Sequence, residues 1–127
     1  MHVAPVDVIN STLLQIKHVI KYSPDNFTLR ADLPKNKKTL LKLGFMPSHV
    51  IDEICTLTYK NYHTGPEDNI SRSGRPGGSI WVFGKEIEGI EIYIKFHLIS
   101  TKRNTQCICI SFHEADYPMT YPYKDHK

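Results

Sequence analysis

From Ile90 to Ile99 the chain alternates without a break: Ile90, Ile92, Ile94, Phe96 and Leu98 form one stripe, and Glu91, Tyr93, Lys95 and His97 form the other. Successive side chains of a β-strand point to opposite faces, so a period of two held this long requires a strand buried on one side only. Any fold that contains it must cover one face of a sheet and leave the other to water or a ligand.

Two neighbouring segments carry the same signal. IWVFGKEI (80–87) precedes the strand across Glu88-Gly89, and QCICISFHE (106–114) follows it across STKRNT. Connections this short join antiparallel neighbours, which predicts a three-stranded meander. A two-residue turn pairs Ile87 with Ile90 and Gly84 with Tyr93. That register buries Trp81 and Phe83 and leaves Val82, Gly84 and Glu86 on the polar face, with Gly84 an open floor beside the tyrosine. A turn one residue longer exchanges the faces and makes Trp81 an exposed platform for stacking a base. In the last strand, Ile108, Ile110 and Phe112 are expected inward and Cys107, Cys109, Ser111 and His113 outward. The hairpin then sets His113 opposite Glu91 and diagonal to Tyr93, with Ser111 facing Tyr93.

The first half reads as helical. Ile9, Leu13, Ile16 and Ile20 share one face of VDVINSTLLQIKHVIKY, which Pro24 ends. PKNKKTLLKLG runs from Pro34 to a stopping Gly44, and FMPSHVIDEICTL aligns Val50, Ile54 and Leu57, with Cys55 in the packing. DNFTLR (25–30) is short and extended, and residues 64–79, rich in glycine and proline, read as a long exposed loop. The tail, 115–127, is expected to be irregular and partly packed by Tyr117, Tyr121 and Tyr123. The sum is a single α+β domain over 1–127: three N-terminal helices on one face of an antiparallel sheet of three or more strands.

Composition narrows the function classes. With 40% hydrophobic and 23% charged residues the chain is neither disordered nor a membrane protein. The net charge of +3 and seven histidines favour anionic partners mildly. No basic segment followed by an apolar run opens the sequence, and three cysteines make an odd count, so a cytoplasmic protein without disulfides is expected.

The polar face is expected to gather Tyr93, Lys95, His97, His113, Glu91 and Glu86. Histidine and tyrosine can move protons, and lysine can stabilise the charge that builds on a phosphate. The plain alternative is a solvated face whose charges keep the protein soluble. A metal site of Cys107, Cys109, His97 and His113 has the right donor types but no familiar zinc spacing, so no metal or other cofactor is expected.

WVFGKEIEGIEIYIKFHLI, continued by ICISFHEADYPMTYPYK and preceded by LTYKNYHTGP, resembles the MqsR family of toxins from bacterial type II toxin–antitoxin modules, over about residues 35–123. The resemblance rests on Gly89, Tyr93 and Lys95 as a Gly-x-x-x-Tyr-x-Lys strand, on Ser111-Phe112-His113, and on the Tyr117-Pro118 and Tyr121-Pro122 repeats. It departs from the family pattern at His113 and Thr64, where the pattern has lysines, and at Val82, where it has a glutamine. The resemblance implies a RelE-like fold and a metal-independent endoribonuclease that cuts mRNA. Tyr93, Lys95 and His113 would be catalytic, Glu91 or Glu86 would orient His113, and His63, Arg72, Arg75, Lys85, Glu91 and His97 would hold the substrate. It also implies a cognate antitoxin protein, with operator DNA reached only through that complex. Two further readings stand beside it: a non-catalytic RNA- or protein-binding module that uses the same residues of the basic face, and a structural or regulatory subunit that binds DNA through the PKNKKTLLK helix.

Overall fold

The computed structural model describes residues 3–70 and 76–126. Three helices lie in the first half of the chain: α1 (Val6–Tyr22), α2 (Pro34–Leu43) and α3 (Pro47–Cys55). The stripe on α1 buries Ile9, Leu13, Ile16 and Val19, with Ile20 packed at the margin. Pro34 opens α2, where the missing N–H is not needed, and Gly44 closes it at φ 69°, a left-handed turn that lets Phe45 N–H reach Leu40 O at 2.9 Å. In α3, Val50 and Ile54 reach the core as the spacing requires, followed by Leu57. Cys55 does not: it lies on the exposed side.

Five strands form one mixed sheet, in the order β1 (Phe27–Leu29), β5 (Thr105–Glu114), β4 (Ile90–Ser100), β3 (Pro76–Ile87), β2 (Tyr62–Ile70). The class is α+β, with the meander β3–β4–β5 at its centre. The β3–β4 register is the one the short turn dictates: Ile87 pairs with Ile90, Gly84 with Tyr93 and Trp81 with Phe96. Trp81 is therefore core, not a platform, and is only 4% exposed.

Three expectations are corrected. Residues 64–79 are no long loop, because β2 runs to Ile70 and β3 starts at Pro76. Register shifts break the β2–β3 pairing between Tyr62 and Thr64, Thr64 and Glu67, and Asp68 and Ile70, which erases the alternation that marks a strand. DNFTLR supplies β1, which pairs parallel to β5 and makes the sheet mixed. The third correction concerns faces in β5.

Along β4, Lys95 pairs with Ser111 but the next residue, Phe96, pairs with Cys109. Ile110 is the extra residue of a β-bulge, and one extra residue exchanges the faces of everything before it. Cys107 and Cys109 therefore point into the core, fully buried, while Ile108 and Ile110 are half-buried. Burial pushes the Cys107 thiol up to about 12 and Cys109 higher still, so both are inert apolar side chains. Beyond the bulge the original alternation holds, with Phe112 buried and His113 on the open face.

Asn36 of α2 fixes the bulge. Its amide donates to Ile110 O at 2.8 Å and Arg30 O at 2.9 Å, and its Oδ1 accepts Phe112 N–H at 3.0 Å. Thr39 Oγ1, one turn on, accepts Glu114 N–H at 3.0 Å. The edge of β5 is thus covered in two parts: by β1 up to Cys109, then by α2 side chains. Without them the backbone groups of that edge would lack partners, which is costly where they are buried.

Candidate active site

Strand pairing arranges the open face in rows across β3, β4 and β5. Gly84, Tyr93 and His113 form one row, Val82, Lys95 and Ser111 the next, and Ile80, His97 and Ile108 a third. His113 sits directly opposite Tyr93, not opposite Glu91, and Ser111 opposite Lys95, because the bulge and the loop after Ser100 shift the pairing. The rings of Tyr93 and His113 stack, with centroids 5.4 Å apart and planes 19° apart.

The tail makes the far wall. Ala115 N–H donates to Glu91 O, Met119 N–H to Glu91 Oε1 and Tyr121 O–H to Glu91 Oε2, each at 2.9 Å. Tyr123 O–H then reaches Ala4 O at 2.7 Å. Glu91 anchors the tail and orients nothing in His113. Gly84 is no open floor either: Tyr121 and Met119 lie over it, so closely that a Cβ there would stand 2.8 Å from Met119 Sδ. Tyr117 is not packed; it projects at 82% exposure.

Between this wall and the sheet lies a cleft of about 330 Å³, with Tyr93, Lys95, Ser111 and His113 in its floor and His63 and Lys35 on its sides. His113 Nδ1 is 2.9 Å from Glu114 O and His63 Nδ1 is 2.7 Å from Thr120 O. A carbonyl oxygen only accepts, so each neutral ring carries its proton on Nδ1 and keeps a lone pair on Nε2. Burial, with the Glu67 carboxylate second, pushes the Tyr93 phenol above its ordinary value of 10, which keeps it a hydrogen-bond donor at neutral pH. The Tyr93 hydroxyl, the Lys95 ammonium and the Ser111 hydroxyl make no hydrogen bond or ion pair with any described residue. Three donors and a basic nitrogen converge on one cleft, which suits an oxyanion such as a phosphodiester.

The structure thus brings together Tyr93, Lys95, His113 and His63 of the residues singled out in the sequence. Lys85 lies on the opposite face, where its ammonium meets Glu53 of α3 at 3.0 Å and Thr56 Oγ1 at 2.7 Å. It faces the helices because it shares the parity of Trp81 and Phe83. His97 is one row beyond Lys95, with Nε2 on Gly77 O. Glu86 pairs in register with Glu91 and has no contact with His113. Arg72 and Arg75 lie outside the described residues.

Sequence reasoning missed Lys35 and Asp116, which line the cleft, and Glu67, whose carboxylate acts on the Tyr93 phenol from β2. Their signals were weak for a physical reason: each is placed by a helix, a tail or a bulged strand whose docking no local pattern encodes. Among the described residues no group of three or more histidine, cysteine or acidic side chains is placed to hold a metal, and no helix is long and apolar enough to cross a membrane. No protein-family model, curated protein or solved structure matches this chain.

Proposed function

We propose that the protein is an endoribonuclease that cuts mRNA by activating the RNA's own 2′-hydroxyl, and that it acts in the cytoplasm as the toxin of a type II toxin–antitoxin pair. The observation that carries this is the stacked Tyr93–His113 pair beside the Lys95 ammonium, unpartnered among the described residues, in an open cleft. The toxin assignment, a RelE-like fold and a cognate antitoxin rest on the resemblance to the MqsR family.

The chemistry needs a base, an acid and positive charge. His113 Nε2 takes the proton from the 2′-hydroxyl. The 2′-oxygen attacks phosphorus, the bond to the 5′-oxygen breaks, and that oxygen takes a proton from the Tyr93 hydroxyl, leaving a 2′,3′-cyclic phosphate and a 5′-hydroxyl. The imidazolium then gives up its proton to solvent and the phenolate takes one back from it, which restores both groups for the next turnover. Lys95 and Ser111 bind the non-bridging oxygens, where charge grows in the transition state. This supply of donors makes no use of Glu91, whose carboxylate is occupied by the tail.

The test is to incubate purified protein with RNA and map the new ends, for wild type, His113→Ala and Tyr93→Phe. Cyclic-phosphate and 5′-hydroxyl ends that fall about 100-fold or more in either variant are expected, in line with the loss of a general acid or base. RNA left intact by folded wild type, or cut equally by His113→Ala, overturns the proposal. Binding without cleavage would assign the face to a binding module.

A further inference from the structure

A second groove begins where the cleft ends. It is about 400 Å³ in volume, runs between α2 and the end of β5, and shares Lys35, His113 and Asp116 with the cleft. His113 therefore stands on a saddle between two connected depressions, and a ligand seated over it must leave the cleft on this side or along the sheet.

One wall of the groove is a stripe of lysines. Lys35, Lys38 and Lys42 recur at three and four residues along α2, so they share a face, while Asn36, Thr39 and Leu40 turn inward. The stripe is about 10 Å long at 1.5 Å per residue. Its outer members are paired, Lys35 with Asp116 at 2.7 Å and Lys42 with Glu114 at 2.9 Å. Lys38, between them, has no ion pair or hydrogen bond with any described residue. The two pairs are solvent-exposed, a setting in which water and salt screen such contacts, so an arriving polyanion can displace either acid. What the pairs do provide is orientation, since each draws its ammonium toward the groove.

Resting on the reading of the cleft given above, we propose that this groove is the backbone track of the RNA strand, taking the phosphates next to the scissile one, with Lys38, unpaired among the described residues, as the central cation. Three lysines against two acids leave a positive groove, and its continuity with the cleft at His113 sets the path. The strand is held by charge, independent of base sequence, so its affinity falls with salt. Lys37 supplies an internal control: it is exposed on the same helix but is not among the groove residues.

The experiment measures binding of a fluorescent, fully 2′-O-methylated RNA oligonucleotide, which lacks the nucleophile and so reports the track whether or not the cleft cuts RNA. Wild type, Lys38→Ala, Lys38→Glu and Lys37→Glu are compared by anisotropy across a salt series, with far-UV circular dichroism to verify folding. Lys38→Glu is expected to weaken binding about tenfold or more, Lys37→Glu by less than about threefold, and Lys38→Ala to reduce the slope of log affinity against log salt by about 0.7, the value for one phosphate on a single strand. Equal effects at positions 37 and 38 would reduce the groove to net charge and overturn the proposal. Equally overturning is displacement of the RNA by polyglutamate at matched charge concentration, which would assign the groove to an acidic protein segment. Intact RNA in the cleavage assay with the expected Lys38 result removes the nuclease reading and leaves the track standing.

Discussion

Asn36 Oδ1 accepts the backbone N–H of Phe112 at 3.0 Å while the same amide group donates to Ile110 O at 2.8 Å. One side chain, only 1% exposed, therefore binds the bulge at Ile110 and the strand just beyond it, the turn that sends Cys109 inward while Ser111 and His113 stay on the open face. Asn36→Leu fills the space but leaves a buried N–H and C=O unpaired, which costs about 3 kcal/mol. Asn36→Asp keeps the acceptor but sets a buried carboxylate against the carbonyl oxygens of Arg30 and Ile110, so at neutral pH it is expected to cost at least as much. Urea unfolding gives the order, and loss of the Tyr93–His113 stack in the leucine variant is read from the imidazole proton resonances.

The tail's anchor has a pH dependence of known sign. Burial and the bond to the Glu91 carboxylate push the Tyr121 phenol up from its ordinary value of 10, so the folded protein keeps that proton longer than the unfolded chain does. The contribution is whole below about pH 10, where both states are protonated, and is lost as pH rises through the folded-state value. Wild type is expected to lose stability more steeply above pH 10 than Tyr121→Phe, which lacks the group. Parallel slopes in denaturant titrations of the two proteins would contradict the anchor.

Lys85 separates structural from functional charge. Its ammonium and the Glu53 carboxylate are 26% and 24% exposed, on the helix side of the sheet. Lys85→Met is expected to cost about 1 kcal/mol of stability, with RNA affinity held within about twofold because the side chain is remote from both grooves. The binding assay and a thermal melt on one preparation decide it.

The parts legible in the sequence are those governed by local geometry. The Glu88-Gly89 turn and the alternation on either side fixed the β3–β4 register, and proline and glycine punctuation located α1 and α2. Cys109 was misassigned because the bulge depends on Asn36, which is remote in sequence and carries no strand signal. β1 is three residues long and exists only by pairing with β5, and β2 is broken by its own register shifts. In the candidate site, Tyr93 and Lys95 followed from parity alone, and His113 kept its face because it lies beyond the bulge. Lys85 was assigned by charge where parity already placed it with Trp81. The lysines of α2 were visible as charge, but their place beside His113 depends on how the helix docks on β5.

Gly84 tests whether the tail is a wall of the cleft or a loose appendage. Its Cβ would stand 2.8 Å from Met119 Sδ and Cε, and nearer still to Tyr121 Oη, inside the contact limit for both side chains that reach Glu91 or flank it. Gly84→Ala is therefore expected to push aside the Met119 thioether and the Tyr121 hydroxyl, weaken the Tyr121–Glu91 bond and loosen the tail at Met119, at a cost of about 1–3 kcal/mol from overpacking. The matched control is Gly44→Ala, where φ is 69° and no atom lies within 4 Å of the new methyl. That variant bears only the strain of a left-handed turn, about 1 kcal/mol, far from the cleft. At equal loss of stability, the tail of Gly84→Ala is expected to be cut after Tyr123 by chymotrypsin several times faster than that of Gly44→Ala, the bonds after Tyr117 and Tyr121 being closed to the protease by the prolines that follow them. Equal rates would mean that the tail does not rest on the sheet and that the cleft has no wall on that side.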